Sequence, residues 1–65
     1  MDGKLLEEWG ELKVLVESLE LDVHKHAGGN SSAGVRARRG LRLLKGKAAE
    51  IVKISLTAEK EKKSS

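Results

Sequence analysis

The chain has 65 residues, with 13 Lys and Arg against 10 Asp and Glu, a formal net charge of +3, no cysteine and no proline. That length sets one domain at most, residues 1–65, near the lower limit for a self-sufficient core. The cysteine count excludes a disulfide framework and thiolate metal sites, so oligomerisation is the expected route to stability.

The first segment reads as a helix over about residues 4–26. Leu5, Trp9, Leu12, Val16, Leu19 and Val23 step by four and three in alternation, the a/d pattern of a helix seam. Trp9, the sole aromatic residue, reads as a core side chain. Glu7, Glu8 and Glu11 lie near the start and His24, Lys25 and His26 near the end, placements that suit the helix dipole. His24 and His26 are two apart and face different sides of a helix, so they do not read as a metal pair. No apolar run is long enough to span a membrane, and the acidic start MDGKLLEEWGE lacks the apolar stretch of an export signal. A cytoplasmic protein is expected.

A turn follows at about residues 27–32. Gly28 and Gly29 supply the left-handed backbone that ends a helix, and Asn30 or Ser31 supplies the cap of the next one. The second helix is expected over about residues 33–61, with a seam of Ala37, Leu41, Leu44, Ala48, Ile51, Ser55 and Ala58 and a frayed basic tail at 60–65. Paired antiparallel, Val23 with Ala37 through Leu5 with Ser55, the seam residues have numbers that add to 60. The centre then falls on Asn30, where the glycines independently place the turn. Gly40 and Gly46 each weaken the second helix by about 1 kcal/mol relative to Ala; they either permit close approach of a helix or another backbone, or simply lower stability. Leu6, Val14, Leu15, Leu21, Leu43, Val52, Ile54 and Leu56 remain outside the seam, more apolar surface than two helices can hide between them. The expected fold is all-α: an antiparallel two-helix hairpin that assembles into a four-helix bundle or a larger helical homo-oligomer.

Charge is unevenly distributed. Residues 1–27 carry seven acids and three bases, net −4; residues 28–65 carry ten bases and three acids, net +7. Arg36, Arg38, Arg39 and Arg42 crowd the start of the second helix, followed by Lys45 and Lys47. A helix start carries partial positive charge and favours acids, so structure alone does not call for these cations. Arginine makes forked contacts to phosphate, and the amides and hydroxyls of Ser31, Ser32 and Gly34 beside Asn30 offer an anion site at the helix start. With Trp9 the lone aromatic, base stacking has no platform, and sequence-independent duplex binding through the backbone is the expected mode. The competing reading pairs Glu20 and Asp22 with Arg38, Arg39 or Arg42 across the hairpin; four arginines near two local acids leave an excess of cations. No Gly-rich phosphate loop, no Ser-His-Asp set and no sheltered pocket point to an enzyme, a cofactor or a small-molecule substrate.

The run Gly29, Asn30, Ser31, Ser32, Ala33, Gly34, Val35, Arg36, Ala37, Arg38, with the later Ile51, Val52, Lys53, Ile54, Ser55, resembles the signature of the bacterial linker-histone-like proteins, typified by the chlamydial histone-like family. The resemblance covers roughly residues 20–60. It implies a small DNA-binding, chromosome-compacting protein built on a helical hairpin and associated with the nucleoid. Members usually carry Lys after the Asn, where this chain has Ser31, and the Lys/Ala/Pro-rich tail of the chlamydial members is here only AEKEKKSS. The candidate nucleic-acid-binding residues are therefore Asn30, Ser31, Ser32, Gly34, Arg36, Arg38, Arg39, Arg42, Lys45 and Lys47, with double-stranded DNA as partner. A helical protein-interaction module and an RNA-binding protein are the alternatives.

Overall fold

A computed structural model describes the backbone of residues 3–64 and the side chains of residues 3–60. It holds two helices, α1 (Gly3–Ala27) and α2 (Ser31–Ser64), packed antiparallel as a rod 53 Å long and 15 by 11 Å across. Among the described residues there is no strand. The side chains of the expected tail beyond Lys60, and Ser65 altogether, lie outside the described residues.

The turn is three residues long because one residue closes both helices. Gly29 takes a φ of +106°, in the left-handed region that glycine adopts without steric cost. Its amide donates to the His26 carbonyl at 2.9 Å, and the Asn30 amide donates to the Lys25 carbonyl at 3.0 Å. These two bonds form a Schellman closure of α1. Asn30 then caps α2: its Oδ1 accepts from the Ala33 amide at 2.9 Å.

The helices meet on a different side from the one the apolar spacing predicts. On α1 the inward rows are Leu5, Leu12 and Leu19 alternating with Glu8, Leu15 and Asp22. On α2 they are Ala37, Leu44, Ile51 and Ala58 alternating with Ala33, Gly40, Lys47 and Ile54. One row on each helix is as expected. The other is shifted by one residue, so Trp9, Val16, Val23, Leu41, Ala48 and Ser55 do not enter the seam. Trading one row for the next moves the contact side by about 50°, half the 100° step of a helix. Trp9, expected in the core, is 51% exposed.

Small residues cause the rotation. Near the turn the contact is made by Ala33, Gly34, Ala37 and Gly40, all buried. A Cβ on Gly40 would overlap the Leu19 side chain, and one on Gly34 would lie 2.5 Å from the imidazole of His26. The helices therefore approach on bare backbone, and among the described residues Leu19, 7% exposed, is the one large buried side chain between them. Gly46, by contrast, has nothing within 4 Å of a built Cβ and makes no close approach. The register stays close to the expected one, since Leu19 faces Gly40 and His26 faces Gly34, numbers adding to 59 and 60.

Two glycines of one helix thus respond oppositely to alanine. Gly46→Ala raises stability by about 1 kcal/mol through helix propensity alone. Gly40→Ala lowers it by about 1–2 kcal/mol, because overpacking against Leu19 outweighs that gain. Thermal unfolding followed by far-UV circular dichroism checks both signs; equal stabilisation by the two changes would contradict the close contact.

Candidate nucleic-acid interface

A right-handed helix advances 100° per residue, so the side of α2 turned away from α1 is set once the seam is known. Arg38, Arg39, Arg42 and Lys45 lie on that outer side and are exposed. None has an ion-pair partner among the described residues. Lys53 and Lys60 continue the same side toward the far end. From Arg38 to Lys60 the ridge is about 33 Å long at 1.5 Å per residue. That is close to one turn of duplex DNA, about 34–36 Å. No acid occurs between Val35 and Ala49, so the part of the ridge from Arg38 to Lys45 is uninterrupted by negative charge in the sequence.

The other candidate residues are placed differently. Arg36 donates from Nε to Asp22 Oδ1 at 3.0 Å, a pair that ties the start of α2 to the end of α1. Lys47 lies in the seam and donates from Nζ to Glu8 Oε1 at 3.3 Å and to Glu11 Oε1 at 2.9 Å. At the start of α2, Asn30 is occupied as the cap, the Gly34 amide donates to the Asn30 carbonyl at 3.2 Å, and Gly34 itself is buried. The open amides there are those of Ser31 and Ser32, and both residues are exposed. The structure brings Arg38, Arg39, Arg42 and Lys45 together on one free surface, with Ser31 and Ser32 at its near end, and sets Arg36 and Lys47 into contacts between the helices.

A comparison with protein-family models matches residues 7–61 to the histone H1-like protein Hc1 family. The chain belongs to that family. The match to this histone H1-like family spans α1, the turn and nearly all of α2, so it covers both the seam and the basic ridge. Membership places the chain among histone-like, DNA-binding proteins of architectural rather than enzymatic type. No curated protein and no solved structure matches it. Among the described residues, no helix is long and apolar enough to cross a membrane.

Sequence reasoning missed two groups of residues. Lys53 and Lys60 belong to the ridge, but their side is fixed only once the seam is placed. Asp22 pairs with Arg36 rather than with the later arginines, and Glu11 with Lys47. Both pairs have numbers adding to 58, near the register that the turn sets, and that arithmetic is the signal that could have found them. His24, read as a polar helix end, donates from Nε2 to Glu20 Oε1 at 3.1 Å. His26 lies over Gly34, with Nδ1 at 3.4 Å from the Asn30 carbonyl.

The Lys47 cluster has an electrostatic consequence. The hydrogen bond from Lys47 is the main reason that the Glu11 carboxyl sits below its ordinary 4.5; contact with Glu8 adds to it. The same bond to Glu11 raises Lys47 above 10.5, against a smaller opposing effect of desolvation. A depressed carboxylate contributes stability above its unfolded value and loses it as pH falls through the lower folded value. A raised amine contributes below 10.5 and loses it as pH rises through its folded value. Stability is thus expected to form a plateau between these limits and to fall on both sides. Lys47→Met should abolish the alkaline fall and weaken the acid one, as read from urea midpoints across pH.

Proposed function

We propose that this protein binds duplex DNA without sequence preference through the outer ridge of α2 and compacts it by bridging. The observation that carries the reading is the set Arg38, Arg39, Arg42 and Lys45: four exposed cations within eight positions, free of ion pairs among the described residues. A structural role for arginine consists in pairing, as Arg36 does with Asp22. Cations left unpaired side by side repel one another, and a polyanion relieves that repulsion. Each guanidinium or ammonium that meets a phosphate releases condensed counterions, and this supplies the affinity. The open amides and hydroxyls of Ser31 and Ser32 add donors for one phosphate at the start of the ridge. The ridge carries no aromatic side chain and so has no means of reading exposed bases.

Compaction needs more than one ridge per particle, and a homo-oligomer of hairpins supplies them. Large apolar side chains such as Leu6, Val16, Leu41 and Val52 stand exposed on the single hairpin, an amount of apolar surface that favours self-association. The protein would then be found on the nucleoid. Duplex RNA offers the same phosphates, and competition between the two duplexes measures the preference.

The deciding experiment is fluorescence anisotropy of a labelled duplex of about three helical turns, titrated over a series of salt concentrations. The wild type is expected to bind with a steep salt slope. The variant Arg38→Ala/Arg39→Ala/Arg42→Ala is expected to lose affinity and to flatten the slope by about 0.9 for each lost contact, close to three in all. Arg36→Ala leaves the slope nearly unchanged. Absence of wild-type binding at low salt would overturn the reading.

A further inference from the structure

The two broad sides of the hairpin differ in chemistry. One carries the ion pairs of Arg36 with Asp22 and of Lys47 with Glu8 and Glu11. The other is apolar: Trp9, Val16 and Val23 of α1 and Leu41 and Ala48 of α2 are exposed along it. Near its middle a groove opens between the helices, floored by Leu19 and Leu44 and edged by Glu20 and His24.

Area and charge say what covers this side. The chain exposes 5181 Å², whereas a compact monomer of its 7.1 kDa mass exposes about 4,100 Å². The surplus of about 1,100 Å² exceeds the roughly 800 Å² that each partner contributes to a standard stable interface. Helix α1 holds six acids and three bases, and α2 holds ten bases and three acids. A two-fold axis along the rod lays each acidic α1 on the basic α2 of the other copy, with both turns at the same end. A two-fold axis across the rod lays α2 on α2, ten cations against ten, with the turns at opposite ends.

We propose that a second copy of this chain covers the apolar side in the first of these orientations, forming a four-helix bundle whose turns share one end. The proposal rests on the reading above that the hairpin self-associates, and adds the face and the orientation. Along the border of the apolar side, Glu20 comes level with Arg38 of the partner subunit and Lys13 with the partner's Lys45, so the overall charge of the two helices, rather than any single pair, favours this orientation. The two α2 helices then lie diagonally across the bundle. Arg39, Arg42, Lys53 and Lys60 of each copy point to opposite sides, so one dimer holds two duplexes apart and parallel rather than wrapping one.

The chain has no cysteine, so a single spin label can be placed at will. Ser31→Cys and, separately, Thr57→Cys put a label at either end of α2, both on exposed residues. Pulsed electron resonance on each labelled dimer is expected to read about 20 Å, the diagonal of a bundle with helices 8–10 Å apart plus the label arms. Distances of about 40 Å at both sites, the separation of residues 31 and 57 at 1.5 Å per residue, would overturn the orientation while leaving self-association in place. Val16→Glu, a change at a residue exposed in the single hairpin, is expected to keep the helical signal and weaken dimerisation at least tenfold. A monomer of wild type in sedimentation equilibrium, or a Val16→Glu protein that stays dimeric, would overturn the proposed face. DNA titration of that same monomer reads phosphate binding separately, so the two failures are distinguishable.

Discussion

Leu19 on the bare backbone of Gly40 is the contact from which the rest of the structure follows. Helices that touch on glycine and alanine approach more closely than helices that touch on leucine, and the small residues of α2 lie on one side near the turn. Bringing that side against α1 rotates both helices by about half a residue step. The rotation carries Asp22 to Arg36, and Glu8 and Glu11 to Lys47, on one flank. It carries Trp9, Val16 and Val23 out on the other. It also fixes which side of α2 faces away, and that side is where the arginines stand.

Much of this was legible in the residues. Two helices, their antiparallel pairing, the glycine turn and the identity of the crowded arginines all follow from spacing and capping chemistry. Gly28, Gly29 and Asn30 encode the turn by local rules that need no tertiary information, and the bonds of Gly29 and Asn30 obey them. The seam was less legible. A heptad reading assigns the most apolar rows to the nearest partner, and in this chain the apolar arc of each helix is wider than one contact. Trp9 and Leu41 satisfy the pattern as well as Glu8 and Gly40 fail it. Only steric fit and the ion pairs available on each flank decide between them. The division of cations into held and free follows the seam, and spacing alone does not separate Arg36 and Lys47 from Arg38, Arg39 and Arg42.

The polar residues within the seam have a role that the apolar ones cannot fill. Greasy rows slide past one another by a heptad with little change in contact, whereas Lys47 between Glu8 and Glu11 matches at one register only. The Arg36–Asp22 pair sets the same register at the other end of the hairpin. With a core of Leu19, Ala33 and Ala37, such fixed points matter more than in a larger domain.

The turn, finally, acts as a phase setter. Asn30 ends the closure of α1 and begins the cap of α2, so no slack residue separates the two helices. Inserting one residue there would swing every position of α2 by about 100° relative to α1. Insertion would turn the arginine ridge toward one of the broad sides and move Gly40 out from under Leu19. The length of a three-residue connection thus determines the direction in which the molecule presents its charge, and variation in that length would be a simple way for related hairpins to re-aim the same helix.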